Sequence, residues 1–281
     1  MKITLLTPGV SPYVMGGLQR HSFYLAKHLA QLGVSIDLYH TDFGNAQDID
    51  ALEGMTGAEK ENINSIAIPW PKSDHLPGHY VRELKQFSVE AYRHYQKRLV
   101  PDFIIAKSLT AWSFLLAKRS GENLPPIAVN LHGFEMFQAP ANIKASVENW
   151  LLRPDFYRHS QDADYLFSYG GRITELIHEK LSISNQKIIE IPGGIDPNWI
   201  AEYTETATSP IRFVFLGRYE RRKGIEELQA AIQANPSWQN CAKFRFIGPI
   251  PEDKQLSLSH VSYAGPINDD ALLKCELRQS D

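Results

Sequence analysis

The strongest constraint on the fold of this chain is an alternation. Short apolar runs meet a glycine or proline and give way to segments with helical spacing, over and over. Lys2–Thr7 runs into Pro8-Gly9 and Pro12, and Gly16-Gly17 then opens a segment with apolar residues at Leu18, Phe23, Leu25, Ala26, Leu29 and Leu32, stopped by Gly33. Val34–His40 is the next apolar run. Strand, helix, strand in that order implies parallel strands joined by right-handed crossovers, because a twisted strand feeding a right-handed helix packs back onto its sheet only that way.

The rhythm continues through strands expected at Ser65–Pro69, Phe103–Ala106, Ile127–Leu131, Tyr165–Ser168 and Lys187–Ile191. Helices are expected at Tyr80–Val100, Ala111–Lys118, Val147–His159 and Ile173–Leu181, with Pro154 kinking or breaking the third. The polar stretch Thr41–Asn64 reads as an exposed excursion. Pro192–Pro210 interrupts the pattern with two glycines, further prolines and the polar run Glu202–Ser209, which places a domain boundary near Gly194 and two domains at 1–194 and 195–281. After it come a strand at Ile211–Gly217, a helix at Ile225–Asn235, strands at Lys243–Gly248 and His260–Ala264, and a helix at Asp269–Leu277. Three strands fall short of the roughly six of a doubly wound nucleotide-binding domain, so the second domain is expected to be incomplete, with an open sheet edge.

Composition narrows the function classes. The chain has 281 residues, 43% hydrophobic and 22% charged, which suits two globular domains with their own cores. A formal net charge of −3 argues against nucleic acid as a partner. The first apolar run is too short for a signal peptide, and no stretch reaches the ~18 apolar residues of a membrane span. Cys241 and Cys275 are the only cysteines and suggest no disulfide framework, which favours a reducing, cytoplasmic compartment.

For function, the most informative stretch is Phe213-Val214-Phe215-Leu216-Gly217-Arg218-Tyr219-Glu220-Arg221-Arg222-Lys223-Gly224. It reads as a buried parallel strand, a tight loop and the start of a helix carrying Ile225, Leu228 and Ile232. Arg218 and Lys223 frame that helix start. Unpaired N–H groups and the positive dipole end, joined by two cations, make a site for a multiply charged anion such as a diphosphate. A solvated basic loop is the plainer alternative.

Other positions invite similar weighing. Gly16-Gly17 lies at a strand-to-helix turn, where glycine lets an anion approach the backbone; a plain tight turn is the alternative. Asp37, 20 residues after Gly17, raises a dinucleotide reading, but Gly-Gly-Leu-Gln-Arg-His lacks the further spaced glycines of that fingerprint. His132 follows a buried strand and precedes Gly133, at the carboxyl end where parallel sheets bind ligands. Glu135 is close by, as an acceptor-facing acid or an exposed loop residue. His75 and His79 straddle Pro77-Gly78 without the intervening acid of a zinc motif, so no metal is expected. Arg82, Lys85, Arg93, His94, Lys97 and Arg98 form a basic stripe interrupted by Glu83 and Glu90. It reads as a solvated helix face, with peripheral contact to an anionic membrane as the alternative.

Several stretches together resemble the family-4 retaining glycosyltransferases of GT-B architecture. They are Met1–Thr7 with Gly16-Gly17, Asn130-Leu131-His132-Gly133, Ile191-Pro192-Gly193-Gly194-Ile195-Asp196, the Gly217-Arg218…Lys223-Gly224 segment, Phe246-Ile247-Gly248 and Val261–Gly265. The resemblance covers essentially the whole chain, although Gly193 stands where the family usually has Asn. It implies an α/β fold of two Rossmann-like domains facing a cleft, the first on the acceptor side and the second binding a nucleotide-sugar. It also implies transfer of a sugar to an acceptor with retention, without metal or cofactor. Catalytic roles would fall to His132, Arg218 and Lys223, with Gly16, Gly17, Arg218 and Lys223 on the donor diphosphate. Gly248, Pro249, Gly265 and Ile267 would line the nucleobase. The family's sequence continues past the segment matching Ala271–Asp281 into a further strand and a Glu-x7-Glu loop, so a completing chain is one expected partner. A non-catalytic homologue or subunit, and a nucleotide-sugar epimerase, are the competing readings.

Overall fold

The computed structural model describes all residues except 12, 15, 42–53, 75, 77, 141, 201–206 and 208. Its backbone contacts divide the chain into two compact units, Met1–Gly193 and Gly194–Asp281.

The first unit is a seven-stranded, wholly parallel sheet. In chain order its elements are β1 (Lys2–Leu6), α1 (Gly17–Gln31), β2 (Ser35–His40), α2 (Gly57–Glu61), β3 (Ile63–Ala67), α3 (His79–Tyr95) and β4 (Phe103–Lys107), then α4 (Trp112–Arg119), β5 (Ile127–Asn130), α5 (Ile143–Asp162), β6 (Tyr165–Ser168), α6 (Arg172–Leu181) and β7 (Ile188–Glu190). The strand order is β3-β2-β1-β4-β5-β6-β7. Side chains alternate across a strand, and here the alternation divides the core in two. Leu5, Ile36 and Leu38 pack with Phe23 and Ala26 of α1 on one face. Leu6, Tyr39, Ile104 and Ala106 pack on the other with Leu84 and Phe87 of α3, Phe114 of α4 and Leu176 of α6. Strands buried on both faces explain why they read as unbroken apolar runs. Between β1 and β4 the order reverses direction, and such a switch point opens a crevice at the carboxyl ends of its strands.

Two expectations need correcting in this unit, and a rival reading already disfavoured loses its acid. First, Pro154 does not break its helix, since α5 runs from Ile143 to Asp162 with the proline inside it. The proline removes one hydrogen bond and crowds the carbonyl four residues back, a local cost that the turns on either side outweigh. Second, the described end of the Thr41–Asn64 stretch is ordered. A capping box joins Thr56 and Glu59 at the start of α2, and Met55 and Glu59 are buried. The remainder of that stretch, most of Glu202–Ser209, and His75 lie outside the described residues. The rival dinucleotide reading finds no support here, since Asp37 is not available to a ribose. It is 3% exposed in the middle of β2, paired with Lys2 at 2.8 Å and Arg98 at 3.7 Å, and it accepts from Asn64 Nδ2 at 2.7 Å.

The second unit is a three-stranded parallel sheet, β10-β9-β8, formed by β8 (Ile211–Leu216), β9 (Ala242–Ile247) and β10 (Val261–Gly265) with α7 (Ile225–Ala234) and α8 (Asp270–Arg278). Its core joins Ile225 and Ile232 of α7 to Phe244 and Phe246 of β9. The expectation of a buried first strand fails here. Phe213 is 49% and Leu216 52% exposed, because β8 pairs on one side only, with β9, among the described residues.

Candidate functional site

In the first unit, polar side chains converge at the carboxyl ends of β4, β5 and β6. Lys107 closes β4 and Asn130 closes β5, and the two are register partners, so their side chains share one face of the sheet. The turn from β1 into α1 is held by buried Thr7 and Ser22, whose hydroxyl oxygens lie 2.9 Å apart. One residue before Ser22, His21 comes within reach of Lys107, with Lys107 Nζ 3.0 Å from His21 Nδ1. His21 also meets His132 edge-to-face at 4.8 Å between ring centroids.

His132 is placed by a local device. Its backbone is left-handed, φ 61°, and its N–H donates to Asn130 Oδ1 at 3.0 Å. This short Asx-type turn offsets the strain of φ > 0 in a residue other than glycine. Asn130 Nδ2 donates to the Tyr169 hydroxyl at 3.2 Å, and that hydroxyl lies 2.9 Å from His132 Nδ1. The phenol oxygen accepts from Asn130, an arrangement that suits a phenol proton donated to Nδ1 and an imidazole proton on Nε2. Burial and the nearby Lys107 push His132 down to about 3, and the same causes push His21 down to about 4, so both rings are neutral at pH 7. Glu135 is exposed, and its carboxylate covers Gly133, where a Cβ would come within 2.1 Å of Oε2.

Lys107 is the unusual member. It is 1% exposed, and burial alone pushes it down to about 7. His21 is its hydrogen-bond partner, and no carboxylate pairs with it among the described residues. The sequence reading missed Lys107, His21 and Tyr169. A lysine closing an otherwise apolar strand at the switch point was the available signal.

The glycine turn before α1 is open. A Cβ on Gly17 would meet nothing within 4 Å, and one on Gly16 would meet only the movable end of Gln19. The first turn of α1 carries no acid, and its N-cap has no side-chain hydrogen bond. Its leading N–H groups therefore keep their affinity for an anion.

In the second unit, the predicted loop follows β8. Gly217 N–H donates to Ile247 O at 2.9 Å, and Gly248 N–H to Gly265 O at 2.9 Å, so the three glycines line up along the carboxyl edge of β8, β9 and β10. Pro249 and Ile267 follow the second and third of them in loops. Between β8 and α7 the chain makes a short 3-10 turn, Arg221–Lys223, and Gly224 caps α7 in a left-handed conformation, φ 74°. Arg218 is exposed and pairs with Glu220 at 2.9 Å, and Lys223 is exposed. Glu226 and Glu227 occupy the first turn of α7 and pair with Arg221. The helix start is thus less electropositive than the loop alone suggested.

Elsewhere, an open concavity of about 650 Å³ lies among Arg119, Tyr157, Arg158 and Asp162 on α4 and α5. Its charges are partly paired, Arg119 with Asp162 at 3.7 Å. The basic stripe is also largely paired: Arg82 with Asp74, Lys85 with Asp155, Arg93 with Glu90 and Arg98 with Asp37. No described helix is long and apolar enough to cross a membrane.

Solved structures share this architecture at low identity. Sucrose-phosphate synthase from Thermosynechococcus elongatus is 17% identical, with a TM-score of 0.71, over 98% of this chain and 72% of that one. The Escherichia coli trehalose-6-phosphate structure bound with UDP-2-fluoro glucose is 15% identical, with a TM-score of 0.63, over 100% and 77%. The catalytic domain of starch synthase IV from Arabidopsis thaliana, bound to ADP and acarbose, is 15% identical, with a TM-score of 0.61, over 97% and 75%. No curated protein sequence matches the chain significantly. The fold is that of the GT-B glycosyltransferases, the second sheet being the smaller. The model of Glycosyltransferase Family 4 matches residues 15–199, about two thirds of the sequence, and the chain belongs to that family.

Proposed function

We propose that this protein transfers a sugar from a nucleotide-sugar donor to an acceptor with retention of configuration, the first unit serving the acceptor side and the second the donor nucleotide. The observation that carries this reading is the row Gly217, Gly248, Gly265 at the carboxyl ends of a parallel sheet, with Arg218 and Lys223 in the loop that follows the first. Backbone free of side chains at strand ends is where such sheets admit a nucleotide. Arg218 and Lys223 neutralise the diphosphate as its bond to the sugar breaks, which stabilises a leaving group where charge develops. His132, neutral and held by Tyr169, orients and hydrogen-bonds the transferred sugar. The departing phosphate takes the acceptor's proton, so no enzymic nucleophile is needed. UDP and ADP appear with the similar proteins named above, which supports a nucleoside diphosphate sugar as donor.

The test is turnover of a panel of UDP-, ADP- and GDP-sugars in the presence of sugar and lipid-linked acceptors. Loss of activity in Arg218→Ala and Lys223→Ala supports the reading, and unchanged activity in both counts heavily against it. Release of an epimerised donor without any acceptor would indicate an epimerase instead.

One observation favours a second reading. Among the described residues β8 pairs with one strand only, β9, while Asp281 bonds its other edge at Arg212, and its apolar side chains are half-exposed, which suits a unit completed by further strands or by another chain. Nucleotide binding without turnover, together with co-purification of a second subunit, would select it. The intact mass of the protein from its native source, against the 31.8 kDa of this sequence, separates added strands from an added chain.

A further inference from the structure

From the convergence of Lys107, His21 and His132 at the switch point, we infer that the first unit binds an anionic group of the acceptor, a phosphate ester or a carboxylate, on the Lys107 ammonium. The inference rests on the glycosyl-transfer reading for the word acceptor, and on the first unit's own geometry for the anion.

The argument begins with an imbalance. A lysine removed from water normally has a carboxylate beside it, because an isolated buried ammonium is costly. Lys107 is 1% exposed and ends a strand whose other residues are apolar. The titratable side chains gathered around it are His21 from α1, His132 after β5 and, behind His132, Tyr169 after β6. None of them is an anion at neutral pH. An ammonium has three N–H donors, and His21 Nδ1 accepts one of them. In the tautomer that accepts from Tyr169 at Nδ1, His132 presents its proton on Nε2, whose own approach to the same hydroxyl is a grazing 3.5 Å. Glu135 lies over Gly133, beside His132, but among the described residues no carboxylate pairs with Lys107, so two neutral donors and one latent cation form a receptor that lacks its negative charge.

The location supports a ligand in that role. Carboxyl strand ends at a switch point are where parallel sheets open to ligands. The strained backbone at Ser108, φ 56°, and at His132, φ 61°, turns both chains away directly after β4 and β5. Such strain concentrates at ligand sites. An arriving phosphate or carboxylate would draw a proton onto Lys107, so affinity is linked to pH: it is highest where the lysine is already charged and falls as the solution becomes more basic.

The donor diphosphate is the other possible source of the same chemistry, and the experiment separates the two. Sulfate serves as the probe, since it does not titrate between pH 6 and 9. Calorimetry of the full chain at pH 8 in two buffers of different ionisation enthalpy is expected to show proton uptake on sulfate binding, with affinity at least tenfold weaker at pH 9 than at pH 6.5. Lys107→Met should abolish the proton uptake, while Arg218→Ala and Lys223→Ala leave it intact. UDP should bind Lys107→Met as it binds the wild type. Sulfate binding to the wild type without proton uptake would overturn the inference, and this readout needs no variant to fold. A tenfold or greater loss of UDP affinity in Lys107→Met would also overturn it, by assigning the lysine to the donor. Should UDP fail to bind the wild type while sulfate and its proton do, the glycosyl-transfer reading fails and the anion site stands.

Discussion

A Cβ on Gly248 would lie 2.0 Å from the carbonyl oxygen of Gly217, so the ends of β8 and β9 touch at a point where no side chain fits. Gly248 also has φ 140°, a conformation closed to other residues. Gly217 is under milder constraint, with a Cβ meeting only the Phe215 ring at 3.4 Å. Gly248→Ala is therefore expected to destabilise the second unit by about 2 kcal/mol or more, and Gly217→Ala by less than half of that. Thermal unfolding of both variants checks the ranking, and equal melting temperatures would refute the close approach.

Arg218 is not idle in the absence of ligand, because Glu220 holds its guanidinium at 2.9 Å. A diphosphate has to displace that carboxylate or share the cation with it. Glu220→Gln should accordingly tighten UDP binding several-fold, the opposite direction from Arg218→Ala, which should weaken it about tenfold. Fluorescence or calorimetric titration with UDP decides. Weaker binding in Glu220→Gln would mean that the pair positions the arginine rather than competing for it.

Stability should rise with pH across the physiological range, by a sign that the buried bases determine. Burial lowers His159 to about 3, and His132 and His21 also lie well below the ordinary histidine value. The unfolded chain binds protons at these residues below about pH 6.5 while the folded chain refuses them, so each destabilises the fold as pH falls. For fully buried His159 the slope is about 1.4 kcal/mol per pH unit until its folded value is reached. Lys107, lowered from 10.5 to about 7, acts in the same sense higher up: the unfolded lysine stays protonated between those values and the folded one does not. Melting temperatures at pH 5, 7 and 9 are expected in ascending order. A maximum at pH 5 would contradict the burial of these groups.

Asp37 supplies a contrast between structural and nucleotide roles. Buried and paired with Lys2 and Arg98, it should cost about 2 kcal/mol of stability when changed to Asn, because the two cations lose their counter-charge. Nucleotide affinity should not move. A specific loss of NAD binding in Asp37→Asn would revive the dinucleotide reading.

How far these features could be read from residues alone depended on how local their cause is. The parallel architecture was legible because most strands are apolar runs and turns carry local stops, such as Gly33 at φ 74° after α1, whereas β3, with Asn64 and Ser65 inside it, was read two residues late at Ser65–Pro69. The Gly217, Gly248 and Gly265 strand ends were visible for the same reason. The continuity of α5 through Pro154 was not, since a single missing donor is outvoted by the rest of the helix. Nor was the exposure of β8, which depends on how many strands pair beside it.

The sequence by itself determined which segments become strands and helices, that the strands run parallel, and where glycine clears the backbone. These follow from short-range periodicity and from the φ angles that each residue type allows. Only the tertiary structure decided that Lys107, His21, His132 and Tyr169 meet, from positions 21 to 169 in the chain, and that Asp37 is consumed by Lys2 and Arg98. Their meeting depends on strand order and register. β4 lies beside β5 on one side and, at the point where the order reverses, beside β1 on the other, and His21 of α1 reaches Lys107 at the end of β4. The buried, uncompensated charge that results is a property of that assembly, because desolvation exists only after the surrounding elements have packed.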